Sequence, residues 1–292
     1  AFVAYAQDQL WGETGQDGLA YLRQERGLKD ETIRSWGLGW NPKAWWDKPE
    51  RWGLDGKKIW LPRGVVIPCE VDGAVWYAKV RRFADDGRPL AKSGEKYSGP
   101  RGGKLALFGL DKLQGRDVAI ICEGEFDAML LWQEIGSVGR PVDVLAVGGA
   151  GRRLEGRWLS YLTTFKRLVV AFDLDDTGQS AGARWLSESA RVRKAHIPKL
   201  SAKDKYDLTD FWRDGGRLHD WAEYHLVKFY ELKQGGSTGA PPFGGEAENA
   251  DSLADLKQEI GAERDADRWC ELLAKLNRAL CESGELEPTY HV

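Results

Sequence analysis

The sequence predicts an α/β fold with a parallel sheet, and three observations support this class. Two apolar runs, Val118–Cys122 and residues 168–172, are typical of strands buried on both faces. Each run ends at acidic residues and glycine, as expected at the carboxyl edge of an open α/β sheet, where ligands bind. Segments with helical spacing separate the runs, and strands that alternate with helices form parallel sheets with right-handed crossovers.

Two short helices and a hairpin are predicted before these strands. Residues 17–28 form the first helix, which Gly27 stops, and the second begins at Asp30 as N-cap and ends at a glycine before Asn41-Pro42. Residues 65–83 alternate as two strands do. The pair Asp72-Gly73 between them is a strong signal for a two-residue turn.

The later elements alternate in type. Strands are predicted at 118–122, 143–147 and 165–172, and helices at 126–135 and 181–192. Residues 234–250 contain five glycines and the pair Pro241-Pro242, which indicates a flexible linker. Residues 251–292 show amphipathic helical spacing. We therefore predict four regions: a basic mixed α+β subdomain at 1–113, an α/β domain at 114–215, a helix and linker at 216–250, and a helical tail at 251–292.

Composition limits the class of protein. With 292 residues and 42% hydrophobic content, the chain is long enough for one large domain or two modest ones. Its four cysteines form no C-x-x-C pair, which argues against a disulfide framework and against a zinc ribbon in this chain. No apolar stretch is long enough for a membrane span and no export signal is present, so we expect a cytoplasmic protein. The chain begins with Ala1, which suggests a fragment of a longer protein.

Charge is distributed unevenly along the chain. Residues 1–113 carry 19 basic and 15 acidic residues, a net charge of +4. Because the whole chain has a net charge of −3, residues 114–292 carry −7. Residues 79–104 hold eight basic residues and three acidic ones. A basic half beside an acidic half suits a polymerase that holds phosphates near metal ions, although a charge run is also typical of a solvated loop.

The acidic residues after the two strands form two motifs, E-G-x-x-D at Glu123-Gly124 to Asp127 and D-x-D-x-x-G at Asp173 to Gly178. Carboxylates crowded at one sheet edge repel one another, and a divalent cation would neutralise them. The pair of motifs resembles the Toprim metal site of primases and topoisomerases. A single aspartate here is also typical of a helix cap, but the ordered set favours a metal site.

Collinear motifs over about residues 17–215 resemble the RNA-polymerase core of DnaG-type bacterial and phage primases. In chain order they are Tyr21-Leu22 with Arg26-Gly27-Leu28, Glu31-Thr32-Ile33, Gly37-Leu38-Gly39-Trp40-Asn41-Pro42, Arg63-Gly64-Val65-Val66-Ile67-Pro68, Lys79 to Arg82, Lys96-Tyr97-Ser98-Gly99, Leu107-Phe108-Gly109-Leu110, the two acidic motifs, and Val147-Gly148-Gly149-Ala150 between them. The resemblance implies a Toprim domain that synthesises short RNA primers on single-stranded DNA by nucleotidyl transfer. Cellular members carry an N-terminal zinc ribbon. Either it was removed with the missing N-terminus, which we expect, or this relative initiates without it.

The resemblance also implies the chemistry of the site. Two or more Mg²⁺ or Mn²⁺ ions would activate the attacking 3′-hydroxyl and neutralise developing charge. The catalytic residues would be Glu123, Asp173 and Asp175, with Glu123 as ligand or acid/base and Asp127 in support. A looser match, Lys203-Asp204-Lys205-Tyr206-Asp207-Leu208-Thr209-Asp210, would add Asp207 and Asp210 as ligands, although Asp207 also fits a helix N-cap.

The basic side chains would bind nucleic acid and substrate. The resemblance implies that these side chains hold phosphates of the template or of the incoming triphosphate, and Arg82 and Lys96 are the leading candidates. The full set is Arg63, Lys79, Arg81, Arg82, Lys96 and Tyr97. The expected partners are single-stranded DNA, nucleoside triphosphates, the RNA primer and a replicative helicase that binds the C-terminal segment. Amphipathic helices of this kind more often dock on their own chain than on a partner, so the helicase contact is the less common of the two alternatives.

Two other functions fit part of the pattern. Asp173 to Thr177 also matches the D-x-D-x-T motif of haloacid-dehalogenase phosphatases, with Asp173 as nucleophile. An acidic strand end 50 residues earlier, and the lack of a downstream G-D-x-x-x-D motif, argue against it. A non-catalytic nucleic-acid-binding Toprim protein is the third possibility, disfavoured because Glu123, Asp173 and Asp175 are all present.

Overall fold

A computed structural model describes residues 1–91, 96–100, 104, 106–136, 142–149, 151 and 154–234, without the side chains of 188 and 227–234. The predicted linker beyond Gln234 and the helical tail at 251–292 lie outside these residues. The chain folds into two compact units, one of residues 1–172 and 176–194, and one of residues 173–175 with residues from 195 onward. The boundary predicted at 113/114 falls inside the first unit, and the functional division into four regions stays a prediction.

Short helices open the first unit. They are α1 (Phe2–Trp11), α2 (Gln16–Ala20), which continues as a π turn at Tyr21–Glu25, and α3 (Asp30–Ser35). The predicted stop at Gly27 is confirmed, because Gly27 adopts a positive φ of 66°. The second helix also ends before a glycine that precedes Asn41-Pro42, namely Gly37, whose φ is 61°. The predicted cap is wrong by one residue. Lys29 is the N-cap, and Asp30 lies inside the helix, where its carboxylate pairs with Arg23 at 2.8 Å.

An antiparallel sheet follows these helices. The strands of this region are β1 (Gly39–Asn41), β2 (Trp45–Asp47), β3 (Ile59–Leu61), β4 (Gly64–Val71), β5 (Ala74–Arg82) and β6 (Tyr97–Ser98). Four of them form a sheet in the order β1-β4-β5-β6, and β2 pairs with β3. The predicted hairpin is confirmed: Asp72 and Gly73 have φ of 52° and 73°, as the type I′ turn between β4 and β5 requires.

A four-stranded parallel sheet forms the rest of the first unit. Its strands are β7 (Val118–Cys122), β8 (Val142–Ala146), β9 (Arg167–Ala171) and β10 (Val192–Lys194), in the order β10-β9-β7-β8. The associated helices are α4 (Glu125–Gly136), α5 (Gly156–Leu162) and α6 (Asp176–Glu188). Every residue of β7 is buried, as the apolar run predicted. The predicted α/β class with a parallel sheet is therefore confirmed.

Two predicted elements need correction. The helix predicted at 181–192 begins earlier and ends at Glu188, and the chain then forms β10, which the sequence did not predict. In β10, Val192 is buried while Arg193 is exposed, so the strand has the required alternation but is too short and charged to be recognised. Strand β8 begins at Val142 and includes Asp143, whose buried carboxylate accepts backbone N–H groups of Gln114 and Arg116 at 2.9 and 3.1 Å.

The second unit includes helices α7 (Leu208–Arg213) and α8 (Leu218–Gln234). Its buried side chains include Tyr206, Phe211 and Trp221, each with no exposed surface. Trp221 Nε1 donates a hydrogen bond of 2.6 Å to the carbonyl of His196, which holds α8 against the segment that enters this unit. Among the helices that the structure describes, none has the length and apolar character needed to cross a membrane.

Candidate metal and nucleotide site

The parallel sheet brings together the carboxyl ends of the two strands that precede the acidic motifs. Cys122, the last residue of β7, lies opposite Ala171, the last residue of β9. Glu123 is the next residue after Cys122, and Asp173 follows Ala171 by two positions in the chain. Within the first unit, Glu123 is half-buried. The first acids of both motifs therefore follow the ends of β7 and β9, as the sequence predicted.

Two acidic side chains of the first motif are buried at the start of α4. Glu125 and Asp127 are 5% and 8% exposed. Lys79 Nζ donates to Glu125 Oε1 and Oε2 at 2.8 and 2.9 Å, and Arg26 interacts electrostatically with Asp127. Burial disfavours the charged form of Arg26, but Tyr21, Tyr97 and Asp127 favour it and raise its pKa above the ordinary value. Two buried cations, Lys79 and Arg26, therefore offset the negative charge of Glu125 and Asp127.

The first three residues of the second motif, Asp173–Asp175, belong to the second unit and are joined there to the later acidic segment. The N–H of Leu174 donates to the carbonyl of Tyr206 at 2.9 Å. Tyr206 is fully buried, and burial is the main cause that raises the pKa of its hydroxyl, which donates to Asp214 Oδ2 at 2.9 Å. The tyrosine that interrupts the expected motif is thus a core anchor. It fixes Asp173-Leu174-Asp175 beside the segment that begins α7.

Lysine side chains lie against the carboxylates of this unit. Lys205 Nζ lies 3.0 Å from Asp175 Oδ2, and Lys203 pairs with Asp210. The side chains of Lys205 and Lys203 are 79% and 53% exposed, whereas those of Asp175 and Asp210 are 21% and 10% exposed. Neither lysine was predicted to have a functional role. Their alternation with the aspartates of the 203–210 segment is the signal that would have revealed them.

Asp207 caps a helix, which was the alternative prediction for this residue. Its Oδ1 accepts the N–H of Asp210 at 2.7 Å at the start of α7. Within the described residues of the second unit, Asp173, Asp175, Asp207 and Asp210 do not form a group of three whose ligand atoms lie within 4.8 Å of one another. The metal-ligand role of Asp207 therefore stays a prediction, beside an observed role in placing Asp210.

One such group does occur in the part of the chain that the structure describes. Ligand atoms of His219, Asp220 and Glu223 lie within 4.8 Å of one another. The carboxylate of Asp220 is fully buried and lies 2.8 Å from Arg217 Nε and 2.5 Å from His219 Nδ1. Because the guanidinium neutralises this carboxylate and repels a second cation, we interpret the group as an ion-pair network at the start of α8.

Three of the predicted phosphate-binding cations have internal partners. Arg63 donates to the carboxylate of Asp17 at 2.8 Å and to the carbonyl of Pro42 at 3.1 Å. Lys79 is held by Glu125, and Arg81 is 6% exposed and donates to the Tyr21 hydroxyl at 3.1 Å. The phosphate-binding role of Arg63, Lys79 and Arg81 stays a prediction, and it would require these internal contacts to break.

The other predicted side chains are more accessible. Lys96 is exposed, and Arg82 is half-buried with its guanidinium 4.9 Å from the centre of the Trp60 ring. The backbone N–H of Arg82 donates to the carbonyl of Lys96 at 2.8 Å, which places both residues at the same end of β5. The Tyr97 ring lies 4.4 Å from Lys79 Nζ, and burial raises the pKa of its hydroxyl above the usual range. Arg82 and Lys96 are therefore the accessible cations of the predicted set.

Residues 120–211 match a protein family described as Toprim-like. A DNA primase of Myxococcus xanthus is 31% identical over 68% of this chain and 36% of its own length. A DNA primase of Synechocystis is 28% identical over 77% of this chain and 41% of its own length.

The chain resembles DNA primases. The predicted resemblance is confirmed. The crystal structure of the RNA polymerase domain of Mycobacterium tuberculosis primase DnaG, in complex with double-stranded DNA, shares the fold, with a TM-score of 0.55 and 19% identity over 97% of this chain and 94% of that one. The chain spans about two fifths of the length of the curated primases it matches, at 36% and 41%.

Proposed function

We propose that the chain is the catalytic core of a DNA primase that synthesises short RNA primers on single-stranded DNA by metal-dependent nucleotidyl transfer. The hydrogen bond from Leu174 to Tyr206 carries the proposal, because it holds the D-x-D motif beside the segment that contains Asp210. The similarity to DNA primases supports the same chemistry. The Toprim-like match includes both acidic motifs and this later segment.

The donor set suits a hard divalent cation. Carboxylate oxygens are the ligands that Mg²⁺ and Mn²⁺ prefer, and Glu123, Asp173, Asp175 and Asp210 would supply them. The ammonium groups that lie against Asp175 and Asp210 support this assignment, since they show that both carboxylates attract cations. When bound, the metal would lower the pKa of the attacking 3′-hydroxyl and neutralise charge on the transferred phosphate.

The residues of this chain have separate tasks in the proposed reaction. Asp207 holds Asp210 in the first turn of α7 through its cap. Lys205 and Lys203, on exposed and flexible side chains, neutralise the carboxylates in the free protein and are able to turn toward the triphosphate. Glu123 either ligates metal or accepts the proton of the attacking hydroxyl.

The proposed partners follow from the accessible cations. Arg82 and Lys96 would contact phosphates of the single-stranded template or of the incoming nucleoside triphosphate, with the RNA primer as product. We further propose a cytoplasmic location and a replicative helicase partner that binds the C-terminal segment. No contact within the described residues bears on that helicase.

The phosphatase alternative explains less of the chain. It uses Asp173 as nucleophile but gives no role to Glu123 or to the buried acids of α4. The Toprim-like match spans all of these residues. A primase site accounts for both acidic motifs, and we therefore do not propose the phosphatase.

The proposal is tested by de novo synthesis on single-stranded templates of varied sequence with labelled ribonucleotides and either Mg²⁺ or Mn²⁺. We expect short, alkali-sensitive products that disappear in Asp173→Asn and persist in the control Asp117→Asn, whose carboxylate is 57% exposed and pairs only at the surface with Lys166. Absence of products with every template and metal, beside an active primase as positive control, would overturn the proposal. Phosphate-ester hydrolysis that depends on Asp173 would favour the phosphatase instead.

A further inference from the structure

A buried ion pair joins the four-stranded antiparallel sheet of the first unit to the helix that follows β7 of the parallel sheet. Lys79 lies in β5 of the antiparallel sheet, and Glu125 is the first residue of α4, which follows β7 of the parallel sheet. The two side chains are only 11% and 7% exposed. They lie 46 residues apart in the sequence, so the pair is a tertiary contact that local structure does not impose.

Lys79 contacts more than its carboxylate partner. Its Nζ donates to both oxygens of Glu125, at 2.8 and 2.9 Å, and to the carbonyl of Gly148 at 3.3 Å. Gly148 lies in the glycine-rich turn after β8, where its φ is 77°. One ammonium group thus binds the segments that follow two neighbouring strands of the parallel sheet, β7 and β8.

These contacts use all the hydrogen bonds that Lys79 can make. A lysine ammonium has three donors, and the two oxygens of Glu125 with the carbonyl of Gly148 account for three acceptors. A phosphate would have to displace a buried carboxylate to bind the same group. Displacement would leave Glu125 charged and uncompensated, which is unfavourable in a buried position.

Glu125 lies close in the chain to Glu123, a predicted catalytic residue. Only Gly124 separates Glu125 from Glu123, the acid that follows β7. The carbonyl of Gly124 accepts the N–H of Ala128 at 3.2 Å, so this short segment is fixed to the first turn of α4. An anchor at Glu125 therefore restricts where the backbone of Glu123 lies.

We propose that Lys79 is a positioning residue, which acts through Glu125 to hold Glu123 in place for nucleotidyl transfer, and that it does not bind phosphate. The inference rests on the proposed function. It also assigns Glu125, which sequence analysis left without a role, to the same ion pair. Neither Lys79 nor Glu125 contacts the reacting atoms in this proposal.

The decisive variants are Lys79→Met, Glu125→Gln and the double variant, with Lys166→Met as matched control. Lys166 also pairs with an aspartate, at 2.7 Å, but its side chain is 70% exposed. In the metal-free protein, each single variant leaves one buried charge without its counter-charge, whereas the double variant removes both charges. We therefore expect the double variant to unfold at a higher urea concentration than the sum of the two single shifts predicts.

The kinetic test separates positioning from phosphate binding. Lys79→Met and Glu125→Gln should each lower kcat of primer synthesis by about 10- to 100-fold, as a small misplacement of a catalytic group does. KM for ribonucleotides and the salt dependence of single-stranded DNA binding should stay unchanged. Lys166→Met should behave as the unmodified protein.

Other outcomes overturn the proposal. If Lys79 bound phosphate, Lys79→Met would reduce the salt slope by about one, while Glu125→Gln would release the lysine and preserve or strengthen binding. Additive urea shifts would show that the pair is not coupled. An inactive unmodified protein would contradict the proposed function instead, and the urea cycle would still measure the ion pair. If Lys79→Met does not fold, Glu125→Gln decides the kinetic question alone, because the amide keeps the shape of the side chain and still accepts a hydrogen bond.

Discussion

The N–H of Leu174 donates a hydrogen bond of 2.9 Å to the carbonyl of Tyr206, and this contact joins two acidic segments across 32 positions of the chain. Leu174 lies between Asp173 and Asp175. The backbone, rather than the charged side chains, therefore fixes the D-x-D motif within the second unit. Substitution of one carboxylate should leave this anchor intact.

We expect Asp175→Asn to abolish primer synthesis with little change in metal-free stability. The partner Lys205 is 79% exposed, and ion pairs of that kind contribute at most about 1 kcal/mol. Thermal unfolding should show the same midpoint within a few degrees, and the stabilisation by Mn²⁺ that we expect of the unmodified protein should be lost. Near-normal synthesis by both Asp175→Asn and Asp173→Asn would contradict the metal site.

The accessible cations should determine the salt dependence of template binding. Changing Arg82 or Lys96 to Ala should weaken the binding of single-stranded DNA and lower the slope of log K against log salt by about one unit per lost phosphate contact. Fluorescence anisotropy at several salt concentrations measures this slope, with Lys166→Ala as the control at an exposed lysine. An unchanged slope in both variants would assign them structural roles.

Asp47 should make stability depend on pH in acid. Burial alone raises the pKa of this carboxyl, but hydrogen bonds from Trp52 and Lys48 and the charge of Arg51 outweigh it, so the pKa lies below the ordinary value. The stabilisation is then complete above the unfolded pKa of about 4 and is lost as pH falls through the folded pKa.

We accordingly expect Asp47→Asn to lower the free energy of unfolding by about 1–2 kcal/mol at pH 7. The difference from the unmodified protein should shrink below about pH 4, where the carboxylate takes up a proton. Urea unfolding at pH 7 and pH 3 measures both values. An equal loss at the two pH values would show that the charge of Asp47 does not contribute.

Truncation after Gln234 tests the predicted tail. The strands of both sheets and every predicted site residue precede this point, and α8 ends there. We expect the shortened protein to fold and to make primers on naked single-stranded DNA, and to lose binding to a helicase partner. Circular dichroism melting and the synthesis assay provide the measurements. Loss of the fold or of basal synthesis would place residues beyond 234 in the core.

Local sequence determined much of the fold. Strand β7 has the predicted bounds, Val118–Cys122, because five consecutive apolar residues bounded by charge and glycine have no other favourable environment than a buried strand. The turn at Asp72-Gly73 was equally predictable, since few residues tolerate two successive positive φ values. The collinear motifs over about residues 17–215, in their order and spacing, predicted the resemblance to primases.

Tertiary structure decided what these residues contact. Lys79 belongs to a basic segment and was predicted to bind phosphate, yet Glu125, 46 residues away, holds it as a buried ion pair. Tyr206 interrupts a motif in the sequence but anchors Leu174 in the fold. Residue type and spacing indicate that a cation or carboxylate is present, whereas its partner depends on which strands and helices pack together, and that packing brings distant segments within a few ångströms.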